Sequence, residues 1–293
     1  MDKVVIIGGS GFMGSHTADE LSKAGYKVTI LDSVVSPWLR EDQEMIIGDM
    51  LNKELLVETI SDARYVYHFG GIADIQESKE KPYETIQLNI MGVTTTLEAA
   101  IKHNIERFIY ASTMYVYSPY GSFYRASKQA AETIIQAYHD EYSLDYCLLR
   151  YGSLYGPRAQ QWNGLRKSVS QIVTEGKLDY SGSGKERREY IHVRDAAKLS
   201  IKILEDKHKN QALNLTGQQV LVSSELIDMI FEIVGKEKNV NFIDRNFNPD
   251  HYLMTPYRYT PKGAKKIMPE SFIDLGEGIL EVIEEIHREF KHS

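Results

Sequence analysis

The chain has 293 residues, of which 42% are hydrophobic, and it carries a formal net charge of −7 at pH 7. This composition predicts a soluble globular protein with one large or two closely joined domains, and its acidic balance argues against a nucleic acid partner. The single cysteine, Cys147, excludes an internal disulfide and a cysteine-rich metal site, and we expect no metal. No apolar run suits a signal peptide or a membrane span, so we expect a cytoplasmic protein that does not bind membranes.

The first informative motif is a set of three glycines, Gly8, Gly11 and Gly14, which follows the apolar residues 4–7. A strand that ends in glycines at this spacing and leads into a helix is typical of a pyrophosphate site. The glycines allow the tight turn, the close approach of the ligand and the packing of the helix on the strand. The helix N-terminus adds free N–H groups and partial positive charge. Many turns are rich in glycine, so the motif alone decides little.

The residues after the glycines predict a compact βαβ unit. Residues 15–24 predict an amphipathic helix that Gly25 ends, and residues 27–31 predict a second strand with Asp32 at its tip. An acidic residue there accepts a hydrogen bond from a ribose 2′-hydroxyl and repels a 2′-phosphate. The unit therefore favours NAD over NADP, with a solvated aspartate at a strand end as the alternative.

Predicted strands and helices alternate up to about residue 150, which is typical of a parallel sheet covered on both faces. The predicted strands are residues 4–7, 27–31, 44–47, 65–69, 107–111 and 146–150. Two long helices are predicted between them, at residues 82–103 and 123–142.

After residue 150 the frequent glycines indicate a second, smaller region. We expect strands at residues 190–193 and 212–215 that return the chain to the main sheet. The predicted helices are residues 165–175, 196–205, 224–234 and 276–289.

The predicted fold class is α/β, a Rossmann-type doubly wound parallel sheet with a smaller α/β substrate-binding lobe. The NAD-binding domain is expected to comprise residues 1–155 and about 190–216, and the lobe about 156–189 and 217–293. Ligands of such sheets bind at the carboxyl ends of the strands, and the lobe would cover that edge.

A second motif, Tyr124 and Lys128, places a phenol and an ammonium one helical turn apart on one face. A tyrosine has a pKa of about 10, and lowering it to about 7 requires roughly 4 kcal/mol of preferential stabilisation of the phenolate. A nearby ammonium and a nicotinamide cation can supply that. The preceding strand ends in Ser112 and Thr113, and Thr113 can hydrogen-bond the same substrate oxygen. A chance pair on a structural helix, and hydroxyls that only cap the strand, are the alternatives.

These motifs, in this order, resemble the extended short-chain dehydrogenase/reductase family, in its branch of UDP-glucose 4-epimerase-like nucleotide-sugar epimerases and dehydratases. The resemblance runs from about residue 3 to residue 197 and continues more weakly beyond. It implies that Thr113, Tyr124 and Lys128 are catalytic. The cofactor-binding residues that it implies are Gly8, Gly11, Phe12, Met13, Gly14, Asp32, Asp49, Met50, Phe69, Gly70, Gly71, Asn89, Ser112, Tyr124, Lys128 and Tyr151.

The resemblance also implies a nucleotide-sugar substrate. Arg188 would hold its diphosphate, although the adjacent Arg187 leaves open which arginine does so. Arg258 would contact the base or a phosphate, with a tyrosine-rich loop that packs on the lobe as the alternative. The substrate-binding residues that the resemblance implies are Thr113, Tyr124, Ser153, Asn163, Arg188 and Arg258.

The sequence departs from the family pattern at several positions. Tyr115 stands where dehydratases and decarboxylases of this branch carry an acid, which argues against both reactions. Ser153 replaces a usual asparagine, and both the 113–124 loop and the whole chain are short. The sugar and the nucleotide are therefore left open.

The resemblance implies an NAD-dependent sugar-nucleotide oxidoreductase, and we expect an epimerase. Tyr124 would take a proton from a sugar hydroxyl while hydride passes to bound NAD, which gives a transient keto-sugar. A dehydrogenase or reductase that exchanges its cofactor is one alternative. A non-catalytic dinucleotide sensor is another, although sensors commonly lose the Tyr/Lys pair. The two long helices lie where the family forms a homodimer through a four-helix bundle.

Overall fold

A computed structural model describes residues 1–243, 251–256, 265–269 and 271–291. Its strands are β1 (Lys3–Ile7), β2 (Lys27–Asp32), β3 (Gln43–Ile47), β4 (Ala63–His68), β5 (Arg107–Thr113), β6 (Tyr146–Tyr151), β7 (Ser153–Tyr155), β8 (Leu178–Tyr180), β9 (Arg187–His192), β10 (Gln211–Leu215), β11 (Val220–Val222), β12 (Val240–Phe242) and β13 (Lys265–Lys266). Its α-helices are α1 (Phe12–Lys23), α2 (Lys53–Ile60), α3 (Ile75–Glu80), α4 (Pro82–Ile86), α5 (Gly92–Lys102), α6 (Ser122–Tyr142), α7 (Gly164–Glu175), α8 (Val193–Lys202), α9 (Ser223–Val234) and α10 (Leu275–Lys291). Short 3₁₀ helices span Met114–Tyr117 and Asp206–His208, and a π-helical turn spans Gln87–Met91.

The main sheet is parallel throughout and has the strand order β13-β10-β6-β5-β4-β1-β2-β3. The chain runs outward from β1 in one direction through β2 and β3, then returns to β4 on the other side of β1. This reversal opens a crevice at the carboxyl ends of β1 and β4, where doubly wound sheets bind ligands. The predicted α/β fold class with a Rossmann-type sheet is confirmed.

Two apolar cores cover the two faces of this sheet. One joins α1 and α8 to the sheet and includes Leu21 and Leu199, and the other joins α2, α5 and α6 and includes Leu97. Because both faces are covered, the strands are continuous apolar runs, as in residues 4–7. Full burial of each leucine side chain contributes about 1.5–3 kcal/mol to folding.

A third core lies outside the main sheet, among α7, α9 and α10. Beside it are a three-stranded sheet, β11-β9-β7, and a two-stranded sheet, β12-β8. We propose that this core marks the substrate-binding lobe. None of the helices in the described ranges is both long and apolar enough to cross a bilayer.

The predicted return to the main sheet is right for residues 212–215 and wrong for residues 190–193. β10 pairs with β6 in the main sheet, whereas β9 pairs with β7 and β11. β10 occupies the edge of β6 that β9 would need, and β9 is instead the central strand of a separate three-stranded sheet.

The helix predicted at 82–103 contains a π-helical turn, Gln87–Met91, between α4 and α5. Such a turn inserts one extra residue and often occurs at functional sites. Here it carries the buried Asn89. The prediction missed α2 and α3, which are short; their N-caps, Asn52 and Asp74, were the available signals.

Candidate active site

The glycine turn joins β1 to α1. Gly8 has a left-handed φ of +79°, and a Cβ there would lie 2.4 Å from the backbone nitrogen of Gly70. A Cβ on Gly14 would lie 2.4 Å from the carbonyl oxygen of Gly8, so both glycines are required by the fold. A Cβ on Gly11 would meet only the Gly8 oxygen, at an ordinary 3.5 Å. Since none of the described residues requires glycine at position 11, its surface suits close approach by a ligand.

The N-terminus of α1 completes this turn. Gly11 is its N-cap and has no side chain with which to cap the helix. The side chains of Phe12 and Met13 are buried in the core, so these residues can offer only backbone N–H groups to a ligand. Uncapped N–H groups at a helix N-terminus bind a diphosphate, so the residues present fit the pyrophosphate of NAD.

Asp32 lies beside the glycine turn at the end of β2. Its Oδ2 accepts a hydrogen bond from the Ser10 backbone N–H at 2.9 Å, and its Oδ1 accepts from the Val34 N–H at 3.3 Å. Each oxygen keeps a further lone pair for a ribose hydroxyl. The carboxylate therefore both holds the turn and fits the ribose of NAD.

The opposite wall of the crevice follows β3 and β4. Asp49 is exposed, and its Oδ1 accepts from the Leu51 N–H at 2.9 Å. The Sδ of Met50 would lie 2.7 Å from a Cβ on Gly70, so Gly70 leaves room for that side chain. Phe69 stacks on Tyr67 with ring centroids 6.1 Å apart.

Asn89 joins this wall to α6. Its Oδ1 accepts from the Ile72 N–H at 2.7 Å, and its Nδ2 donates to the Ile72 carbonyl and to Ser127 Oγ, both at 2.9 Å. A Cβ on Gly71 would lie 2.3 Å from Asn89 Oδ1, which explains glycine there. Asn89 thus fixes the loop beside the cofactor crevice to the residue before Lys128, and its contact with the cofactor itself stays a prediction.

Thr113, Tyr124 and Lys128 come together at the carboxyl end of β5. The Thr113 hydroxyl hydrogen-bonds the Tyr124 hydroxyl. The Lys128 Nζ donates to the Ala111 carbonyl oxygen at 2.7 Å, and it lies 4.7 Å from the centre of the Tyr110 ring and 5.9 Å from that of Tyr124. The structure therefore assembles the three residues that were predicted to be catalytic.

Burial controls the ionisation of this group. It raises the pKa of Tyr124 to about 12, although the hydrogen bond with Thr113 opposes the rise. It lowers the pKa of Lys128 to about 8, with Glu132 opposing the fall. At neutral pH the site therefore holds a phenol and a largely charged ammonium. Lowering the Tyr124 pKa from 12 to 7 would take about 7 kcal/mol, which calls for another positive charge beside the ring.

The substrate end of the site is aromatic. The Tyr115 hydroxyl is 2.6 Å from His251 Nδ1, and the Tyr115 ring centre lies 6.0 Å from that of Tyr124 and 4.6 Å from that of Tyr252. The Arg188 guanidinium lies 5.0 Å from the Tyr252 ring centre and hydrogen-bonds Tyr115.

Arg188 is the arginine of the pair that faces this site. It is half-buried on β9, while Arg187 is exposed. Burial lowers the pKa of Arg188, but the neighbouring tyrosines, Tyr115 first, more than offset this effect and raise it. Within the described residues no carboxylate lies within ion-pair distance of its guanidinium, so its charge is available to an anion.

The remaining described residues that were predicted to bind the cofactor or the substrate make contacts within the protein. Tyr151 is buried, with its hydroxyl 2.6 Å from Ser200 Oγ on α8. Ser153 is half-buried on β7. Asn163 caps α7, since its Oδ1 accepts from the Arg166 N–H, and its Nδ2 donates to the Leu154 carbonyl. The roles of Tyr151, Ser153 and Asn163 toward a ligand stay predictions, and Arg258 lies outside the described residues.

Sequence reasoning missed two buried charges beneath the site. Glu132 and Arg150 form an ion pair with Nη2 to Oε2 at 2.6 Å, and the predicted cofactor contact Ser112 donates its hydroxyl to Glu132. The signals were present, because Glu132 follows Lys128 by one helical turn and Arg150 ends an apolar strand.

Comparisons with known proteins give matches over most of the chain. The model of the NAD dependent epimerase/dehydratase family matches residues 4–216. A putative UDP-glucose 4-epimerase of Methanocaldococcus jannaschii is 28% identical over 259 residues, 79% of this chain and 82% of the relative. A UDP-N-acetyl-alpha-D-glucosaminuronate decarboxylase of Bacillus cytotoxicus is 27% identical over 265 residues, 81% of this chain and 82% of the relative.

Solved structures share the fold. UDP-glucuronic acid 4-epimerase of Bacillus cereus, in complex with UDP-glucuronic acid and NAD, superposes with a TM-score of 0.84 at 23% identity and covers 98% of this chain and 99% of its own. UDP-glucose 4-epimerase of Thermotoga maritima with UDP-glucose gives a TM-score of 0.83 at 22% identity with the same coverage.

The glycine turn yields a matched pair of variants. Gly11→Ala should leave the thermal stability of the cofactor-free protein nearly unchanged, because its φ of −76° suits alanine and its Cβ has room. It should weaken NAD binding by roughly tenfold or more, a loss of about 1.4 kcal/mol, since the methyl group fills the ligand's place. Gly14→Ala should instead destabilise the fold by about 1–3 kcal/mol. Calorimetric titration and thermal unfolding measure both effects, and undiminished NAD affinity in Gly11→Ala would refute the assignment.

Proposed function

The chain belongs to the NAD dependent epimerase/dehydratase family, and from this premise we propose that it is an epimerase of nucleotide sugars. It is an NAD-dependent enzyme of the extended short-chain dehydrogenase/reductase type. The observation that carries the epimerase proposal is the arrangement of Thr113, Tyr124 and Lys128 beside the cofactor crevice.

The residues of the site have distinct proposed roles. The glycine turn and Asp32 hold NAD, which when bound supplies the acceptor of a hydride. Tyr124 takes the proton of a sugar hydroxyl, and Thr113 hydrogen-bonds the same oxygen. Lys128 stabilises the phenolate with its charge. The transient keto-sugar would then present its other face, take back the same hydride there and recover its hydroxyl proton from Tyr124, which inverts the configuration and regenerates the cofactor.

The proposed substrate follows from Arg188. A half-buried guanidinium without a carboxylate partner among the described residues suits a diphosphate, which it can bind through two parallel hydrogen bonds. The related proteins above are named for reactions of UDP-sugars, which supports a nucleoside-diphosphate sugar here. Tyr115 favours epimerisation over elimination or decarboxylation, because it provides a phenol bonded to His251 where those enzymes carry an acid.

We predict that the protein retains NAD on purification and interconverts the epimers of a nucleotide sugar without added cofactor. The nucleotide released by denaturation identifies the cofactor by chromatography. A thermal-shift screen of UDP-, GDP-, CDP- and dTDP-sugars with NAD present selects substrates for NMR assays, since a ligand of the folded state raises its stability. Net NADH production or consumption would indicate a cofactor-exchanging dehydrogenase or reductase instead. Binding of dinucleotide without turnover of any sugar would indicate a sensor.

Tyr124→Phe should lower turnover by about 10²–10⁴-fold while NAD stays bound, since only the proton acceptor is removed. Tyr138→Phe is the matched control, because it removes a hydroxyl from the same helix at a bond to Glu98, away from the site. Turnover of the purified variants and their NAD content measure the outcome. Unchanged turnover in Tyr124→Phe would contradict the mechanism.

We also propose a homodimer through the helices of residues 82–102 and α6. Apolar side chains are exposed on both, namely Tyr83, Ile86, Met91, Phe123 and Tyr142. Sedimentation should give about twice the chain mass of 33.5 kDa. Met91→Glu should yield monomers, whereas Leu280→Glu, at an exposed leucine of α10, should not. A parent protein that sediments only as a monomer would refute the dimer.

A further inference from the structure

Glu132 extends the catalytic face of α6 by one more turn. Tyr124, Lys128 and Glu132 follow one another at intervals of four residues, and Glu132 is buried. Side chains at this spacing are neighbours, with Cβ atoms about 5–6 Å apart. The helix therefore presents a phenol, an ammonium and a carboxylate in line.

The Glu132 carboxylate binds both adjoining strands. It accepts from Ser112 Oγ on β5 and from Arg150 on β6, through Nε at 2.9 Å and Nη2 at 2.6 Å. Ser112 and Arg150 are paired in the β5–β6 register, so one carboxylate links the helix to two neighbouring strands.

The segment held in this way is the one that the catalytic residues use. Ser112 lies between Ala111, whose carbonyl accepts from Lys128 Nζ at 2.7 Å, and Thr113, which bonds Tyr124. A shift of Ser112 would therefore move both contacts. The Arg150 Nη1 continues the network with a 2.6 Å bond to the Tyr117 hydroxyl.

Glu132 is also the acidic group that supports the charge of Lys128. Among the residues that the structure describes, the titratable groups that face Lys128 from other elements are Tyr110 on β5 and His68 on β4. Burial raises the pKa of Tyr110 well above its usual value and lowers the pKa of His68 to about 3, so both are neutral at pH 7. On α6 itself, Tyr124 is likewise a phenol.

We propose that Glu132 is a positioning residue of the active site. Through Ser112 it fixes the end of β5 that carries Thr113, and its carboxylate compensates the ammonium of Lys128 from the next helical turn. The proposal rests on the function assigned to Tyr124 and Lys128 above. A purely structural ion pair would contribute to stability alone, and replacing such a pair by neutral groups is often tolerated.

The test is to titrate Lys128 directly by NMR in protein labelled with ¹³C at lysine Cε. The Lys128 resonance is identified by its absence in Lys128→Arg. Glu132→Gln keeps an acceptor for Ser112 and removes the charge, so the Lys128 pKa should fall by about one unit or more. Glu132→Asp keeps the charge and should restore most of the value. Ser112→Ala, which leaves the ion pair intact but removes the link from Glu132 to β5, should shift the titration by less than Glu132→Gln does.

Because Glu132→Gln leaves Arg150 buried without its counter-charge, the variant Glu132→Gln/Arg150→Gln provides a form without an unpaired charge. It should show a fall in the same direction that is smaller than in Glu132→Gln, because the positive charge of Arg150 is removed as well. In turnover assays, the loss of activity at high pH should then begin about one unit lower, because the ammonium is lost earlier. A Lys128 titration that stays within about 0.3 unit of the parent in both variants would overturn the proposal. Since the titration needs no substrate, failure to find a turned-over sugar would count against the proposed function only.

Discussion

Burial disfavours the charged form of Lys128, and the groups arranged around this side chain offset that cost. Burial lowers the pKa of this lysine to about 8, and the charge of Glu132 opposes the fall. The Lys128 ammonium also donates to the Ala111 carbonyl at 2.7 Å and lies 4.7 Å from the centre of the Tyr110 ring. An unsupported buried charge costs several kcal/mol, so these groups must be ordered before any substrate arrives. The same dry surroundings keep Tyr124 protonated until further positive charge is added.

The parallel sheet puts all of these groups at one edge. β1, β2, β4 and β5 end on the same side, so the glycine turn, Asp32, the loop at residues 69–71 and Thr113 become neighbours although they are far apart in sequence. Two side chains then hold α6 to that edge. Asn89 links α6 to the loop after β4, and Glu132, on α6 itself, binds β5 and β6. The cofactor crevice and the catalytic helix are therefore held by the same strand ends.

Features that depend on spacing between nearby residues could be predicted from the sequence. Features that depend on pairing between residues far apart in the sequence could not. The glycine turn, Asp32 and the Tyr124 to Lys128 interval are local, and the structure assembles each as expected. The Glu132–Arg150 pair joins residues 18 positions apart, through a strand register that a single sequence does not reveal. The prediction that residues 190–193 join the main sheet was wrong for the same reason. The apolar residues of a strand indicate that it is buried, but they do not show which strand it pairs with. No simple periodicity of apolar residues predicts the π-helical turn at Gln87–Met91.

The residues around Tyr115 and Arg188 favour epimerisation over elimination as the proposed reaction. Elimination of a hydroxyl requires a proton donor for the leaving group in addition to the base that acts at the oxidised carbon. Two residues beyond Thr113, this chain has Tyr115, whose hydroxyl is bonded to His251 and whose pKa burial raises far above neutral. Oxidation and reduction at a single carbon need only one proton acceptor, one hydride acceptor and a firm hold on the rest of the substrate. In the epimerisation proposed above, Tyr124, the cofactor crevice and Arg188 would meet those three needs, and inversion at that carbon would require only that the keto-sugar turn while Arg188 keeps its diphosphate in place.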